Sequence, residues 1–122
     1  MAKQDFTSLE IWKKAHELTL RSYKLTQGFP KEEIYGLTSQ LRRAAVSVEA
    51  NIAEGYERYH PADQSKFFVD ARASCAECQT LLLIVRDLKY PATEESNSLV
   101  EEYQTLAKRI NALLSYRRSK NA

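Results

Sequence analysis

Apolar residues recur along this chain at alternating steps of three and four, the spacing of one face of an α-helix. Ile11, Ala15, Leu18, Ser22 and Leu25 form the first such stripe, and Thr7 followed by Glu10 has the form of a capping box at its start. A helix is predicted over residues 8–27, with Gly28 ending it and Phe29-Pro30 turning the chain. Leu37, Leu41, Ala44, Val48, Ile52 and Gly55 give a second helix over 35–59, closed at His60-Pro61 because the residue before proline is pushed out of the α region. Pro61 suits the first turn of a third helix, whose stripe is Phe67, Ala71, Ser74, Cys78, Leu81, Val85 and Leu88, ending near Tyr90-Pro91. Thr93 can cap a fourth, with Glu94 and Glu95 in its first turn and Leu99, Tyr103, Leu106, Ile110 and Leu113 along its apolar face. Short links between sequential helices predict an all-α fold, an antiparallel up-down-up-down four-helix bundle.

Two helices carry more apolar surface than one stripe needs. Leu81, Leu82, Leu83, Ile84 and Val85 are consecutive, and at about 100° per residue they surround the helix. A β-strand there would break a longer heptad pattern, so the run is read as helical. Ala44, Ala45, Val46, Val48, Ala50, Ile52 and Ala53 likewise spread over more than one face. A second buried contact, most simply with copies of the same chain, is expected, with Leu82, Leu83 and Ile84 as interface candidates.

Composition narrows the class. At 122 residues, 43% hydrophobic and 28% charged, the chain fits one domain over 1–122 with short flexible ends near 1–6 and 118–122. Three glycines are too few for a β-sandwich or a glycine-rich phosphate loop. No apolar run approaches the roughly 18 residues of a membrane span, so no membrane partner is expected. The polar stretch Met1–Phe6 lacks the apolar core of a signal peptide, which makes the cytoplasm the expected location, with both cysteines reduced. Net charge is only +2. Its distribution is uneven: Glu94, Glu95, Glu101 and Glu102 precede Lys108, Arg109, Arg117, Arg118 and Lys120, an arrangement that complements a helix macrodipole.

Tests for chemistry mostly fail. Cys75-Ala76-Glu77-Cys78 lies mid-helix, where no helix terminus lowers a thiol pKa and no companion ligand pair completes a zinc site, so the cysteines read as core residues. A di-iron bundle needs two Glu-x-x-His motifs, and Glu57 to His60 is the one such spacing present. No elbow presents a serine to a histidine base. The chain is therefore expected to be no enzyme and to need no cofactor or metal. Basic residues beside aromatics remain: Lys13 and Lys14 after Trp12, the adjacent Arg42 and Arg43, and Arg58 between Tyr56 and Tyr59. Such groups neutralise phosphates and stack on unpaired bases. They equally suit pairing with Glu49, Glu54 or Glu57 across one turn, and the near balance of charge on the second helix favours that plainer alternative.

The run Tyr35-Gly36-Leu37-Thr38-Ser39-Gln40-Leu41-Arg42-Arg43-Ala44-Ala45-Val46-Ser47-Val48, followed by Ala50-Asn51-Ile52-Ala53-Glu54-Gly55, closely resembles the signature of the four-helix bundle proteins encoded within bacterial large-subunit ribosomal RNA intervening sequences. Leu9-Glu10-Ile11-Trp12-Lys13-Lys14-Ala15 and Phe29-Pro30 support the resemblance. It implies a homopentamer without enzymatic activity, associated with RNA or DNA. Related bundles accompany reverse transcriptases in retroelements, so an adaptor to a nucleic-acid enzyme is the alternative. A structural ribosomal role is not implied, since such a protein is encoded inside an rRNA gene. Matching polar positions are Gln40, Arg42, Arg43, Asn51, Glu54 and Arg58. Glu49 departs from the family pattern, which usually has proline there; a backbone donor is restored, and a straighter second helix is expected.

Overall fold

A computed structural model describes the backbone of residues 5–120 and the side chains of residues 5–116. Four helices carry the chain: α1 (Glu10–Thr26), α2 (Leu37–Glu57), α3 (Pro61–Asp87) and α4 (Thr93–Lys120). Cross-helix contacts run in opposite order along every neighbouring pair. On α1 and α2, His16 meets Glu49 while Thr26 meets Arg42. Between α2 and α3, Ser47 meets Ser74 while Gly55 lies against Phe67 and Phe68. Arg72 of α3 reaches Asn111 of α4 while Cys78 lies beside Tyr103, and Arg21 and Lys14 of α1 reach Glu95 and Glu102 of α4. The expected up-down-up-down bundle follows, with α4 returning to close on α1.

The stripes read from spacing fill the core with little change. Ala15, Leu18 and Leu25 on α1, Leu41, Ala44, Val48 and Ile52 on α2, Ala71, Cys78, Leu81 and Val85 on α3, and Leu99, Tyr103, Leu106 and Ile110 on α4 are all buried. Two stripes shift by one residue: Phe68 takes the place expected for Phe67, and Leu114 that of Leu113. Leu88, expected to finish the third stripe, is exposed. The drift follows from geometry, because 3.6 residues per turn is not 3.5 and a straight helix rotates a strict heptad away from the core.

Helix ends differ more. Thr7 does not cap α1. Asp5 accepts the Thr7 backbone N–H at 3.0 Å and organises a separate 3-10 turn over Phe6–Ser8, while Leu9 precedes α1 with no side-chain cap. The Thr7 hydroxyl donates back to the Asp5 carboxylate and so is engaged upstream of α1. Gly28 does not use a left-handed backbone; consecutive short turns, Gly28 N–H to Leu25 and Phe29 N–H to Thr26, lead the chain out of α1. α2 begins at Leu37, two residues later than predicted, because a 3-10 turn over Lys31–Glu33 intervenes and the Glu33 carboxylate accepts the Leu37 N–H at 3.3 Å. Pro61 opens α3 as expected. That helix ends with Lys89 in the left-handed region (φ 60°) and a long return bond from Tyr90 N–H to the Val85 carbonyl. Thr93 is the first residue of α4 and not its cap, the chain entering through Ala92 at φ 69°. α2 runs unbroken through Glu49. The flexible ends expected over 1–6 and 118–122 lie for the most part outside the described residues.

Several polar groups in the interior meet partners on a neighbouring helix. The Thr19 hydroxyl, on α1, lies within hydrogen-bond reach of the carbonyls of Ala15 and of Ala45 on α2. Tyr103 is fully buried, with its hydroxyl 3.5 Å from Ser22 Oγ and beside Cys78. Ser96 Oγ is enclosed without a partner.

Candidate nucleic-acid interface

The five basic candidates divide by what already holds them. Lys14 lies in the α1–α4 seam, 3.2 Å from Glu17 and in direct contact with Glu102. That contact, working against partial burial, holds the Lys14 ammonium above its ordinary pKa. Arg58 is paired with Glu54 at 2.9 Å and lies 4.6 Å from the centroid of the Phe67 ring, the plainer of the two readings. Lys13 is exposed and 3.6 Å from Glu10. An exposed pair of that kind is worth about 0–1 kcal/mol and leaves the ammonium available.

Arg42 and Arg43 diverge as successive helical positions must. Arg42 turns toward α1, where its Nε donates to Thr26 Oγ1 at 2.8 Å and its guanidinium lies 4.7 Å from the Tyr23 ring centroid. Arg43 is exposed and makes no ion pair among the described residues. The remaining signature positions divide in the same way. Asn51 donates to the Ser47 carbonyl at 2.9 Å and to Ser47 Oγ at 3.1 Å, and Ser47 meets Ser74 across the α2–α3 contact. Glu54 holds Arg58, and Gln40 is exposed.

The interface candidates on α3 need a correction. Leu82 is fully buried in the chain's own core, because it continues the Cys78 and Val85 face at steps of four and three. Leu83 is half-buried and Ile84 is 41% exposed, so the surplus apolar surface is smaller than five consecutive residues suggest. Ile84 on α3 with Leu88 just past its end, Val46 on α2, Leu20 and Tyr23 on α1, and Tyr116 on α4 are exposed apolar side chains of the bundle.

Neither cysteine reaches solvent. Burial pushes both thiols up to about 12, and at Cys78 the neighbouring Cys75 adds to the effect. Among the described residues no group of three or more His, Cys, Asp or Glu could hold a metal ion, and no helix is long and apolar enough to cross a membrane. Sequence reasoning missed the network in which Arg21 bonds Glu95 at 2.6 Å and also Glu102. It also missed the tether of Arg42 to Thr26, two residues 16 apart whose meeting depends on the turn between α1 and α2.

A model of 23S rRNA-intervening sequence proteins matches residues 7–112. The chain belongs to that family. No curated protein matches it. Among solved structures, it is similar to a protein of unknown function from the S23 ribosomal protein family of Bacteroides thetaiotaomicron, with a TM-score of 0.76 and 20% identity over 85% of this chain and 97% of the other. That likeness shows the shared bundle. Arg42 and Arg43, the two divergent arginines of α2, lie within the residues that the family model matches.

Proposed function

We propose that this rRNA-intervening sequence protein is a non-enzymatic, self-associating bundle that contacts RNA or DNA through basic residues repeated around a pentamer. The observation that carries this reading is the state of Arg42 and Arg43. Neither is consumed by a carboxylate among the described residues, whereas Lys14 and Arg58 are. A net charge of +2 per chain gives weak attraction, and repetition by symmetry converts weak contacts into useful affinity. The family's name, which places its members within an rRNA gene, supports a nucleic-acid partner. Exposed Ile84, Leu88 and Val46 supply apolar surface for contacts between copies. The same side chains suit an adaptor that docks on a nucleic-acid enzyme, and this second reading is favoured if the chain is monomeric.

Native mass spectrometry together with fluorescence anisotropy on single-stranded RNA tests the proposal. A pentamer whose affinity falls with salt, and falls at least tenfold in Arg42→Glu/Arg43→Glu, is the expected result. Binding that ignores salt, or no binding at low ionic strength, overturns it.

A further inference from the structure

The end of α1, the 3-10 turn and the start of α2 enclose a cavity of about 220 Å³, lined in part by Thr26, Phe29, Lys31, Ile34, Thr38 and Arg42. We propose that this cavity binds a single phosphoryl group. Thr38 is the first reason. It is only 6% exposed and lines the cavity, yet its hydroxyl has no hydrogen-bond partner among the described residues. Ser96 Oγ is the lone side-chain oxygen or nitrogen, among the described residues, that is both enclosed and unpaired, so Thr38 Oγ1, on a residue that lines the cavity, retains accessible surface. A nearly buried hydroxyl that faces an accessible cavity and lacks a partner is a donor waiting for an acceptor.

Charge identifies the acceptor. Both ionisable side chains of the lining, Lys31 and Arg42, are cationic, and no carboxylate contributes to it. Lys31 makes no ion pair among the described residues. Arg42 is tethered through Nε to Thr26 and stacked on Tyr23, which leaves its two terminal nitrogens without an acceptor among the described residues. A guanidinium held this way has already lost its rotamer freedom and presents a planar pair of donors, the geometry that fits phosphate oxygens. Of the two acids on the turn, Glu33 is engaged elsewhere, accepting from Leu37 N–H with one oxygen and from Tyr90 Oη with the other at 2.7 Å, and Glu32 is exposed and does not line the cavity. Thr38 is the second residue of α2, so the positive end of that helix adds to the field. Phe29 and Ile34 give an apolar border against which the organic part of a phosphate ester can rest. The assignment deepens the nucleic-acid reading at one of its residues, Arg42, and it is testable without nucleic acid.

Backbone and Arg Nε NMR spectra are to be followed during titration with inorganic phosphate, then with a nucleoside 5′-monophosphate, and then with a trinucleotide bearing either a 5′-phosphate or a 5′-hydroxyl. Saturable shifts centred on Thr38 and Arg42 are expected with inorganic phosphate. Thr38→Val, which keeps shape and removes the hydroxyl, weakens binding about fivefold, and Arg42→Gln about tenfold or more. Lys108→Gln, an exposed change on α4 outside the cavity lining, leaves it unchanged, and circular dichroism melts establish that each variant is folded. Preference for the 5′-phosphorylated trinucleotide identifies a nucleic-acid end; equal binding of both trinucleotides identifies a backbone phosphate; binding of the mononucleotide alone identifies a free phosphate ester. Each of these supports the phosphoryl site. No saturable shift with any of the four ligands, or equal affinity in wild type, Thr38→Val and Arg42→Gln, overturns it. RNA binding that persists in Arg42→Gln but is lost in Arg43→Glu sinks this assignment and leaves the broader nucleic-acid proposal standing.

Discussion

Arg21 of α1 and Glu102 of α4 are joined directly across the seam that closes the bundle, and Lys14, two turns away on α1, contacts the other oxygen of the same carboxylate. Hydrogen bonding from Lys14, opposed by burial and reinforced by Arg21, holds the Glu102 carboxyl below its ordinary pKa. A depressed folded-state pKa contributes stability that is present above the unfolded value, near 4.3–4.5, and is lost as pH falls through the folded value. The melting temperature of wild type is therefore expected to drop between about pH 5 and pH 3. Glu102→Gln costs about 1 kcal/mol at pH 7, and its difference from wild type shrinks over that acid range. Urea melts of both proteins at pH 7 and pH 3 measure this; a difference independent of pH contradicts it.

Cys75 and Cys78 offer a second check. With both thiols buried and pushed up to about 12, neither is a thiolate near neutrality. A chromogenic disulfide reagent at pH 8 is expected to leave the native protein unmodified and to titrate two thiols in 6 M guanidinium. Rapid modification of the native protein contradicts this placement.

Leu82 and Ile84 are two residues apart and should behave in opposite ways. Leu82→Ala opens a hole in the core and costs about 2–5 kcal/mol. Ile84→Asp leaves helical content and monomer stability nearly intact and lowers the apparent mass if this face joins copies. Circular dichroism melts paired with light scattering separate the two effects.

Lys89 carries a left-handed backbone at the end of α3 without being glycine. An L-residue pays about 1–2 kcal/mol for that conformation, partly recovered by its lower freedom when unfolded. Lys89→Gly is expected to stabilise the protein by about 0.5–1 kcal/mol in urea unfolding.

Much of the bundle was legible because helix phase is local information. Spacing alone found the buried faces, and it held the phase of Leu82 as well, since Cys78, Leu82 and Val85 share one face. The run of five apolar residues obscured this by offering every direction at once. What spacing could not supply was anything that depends on which helices become neighbours and how the links turn. Arg21 finds Glu95 and Glu102 only once α4 returns beside α1. Arg42 finds Thr26 only because the Lys31–Glu33 turn separates α1 from α2 as it does. Thr7 does not cap α1 because its own N–H and hydroxyl are drawn back to Asp5, which organises a separate turn before the helix.

The buried Tyr103 hydroxyl carries a consequence for folding uniqueness. Layers of leucine, isoleucine and valine are nearly interchangeable, so a bundle built only from them tolerates sliding one helix by a turn. Tyr103 removes that freedom, because its oxygen meets Ser22 and Cys78 at one axial position of α4. A slip of one turn strands the phenol among hydrocarbon at a cost of about 1–3 kcal/mol, enough to leave the shifted state scarcely populated. One oxygen thereby works as a vernier mark that fixes the alignment of the fourth helix.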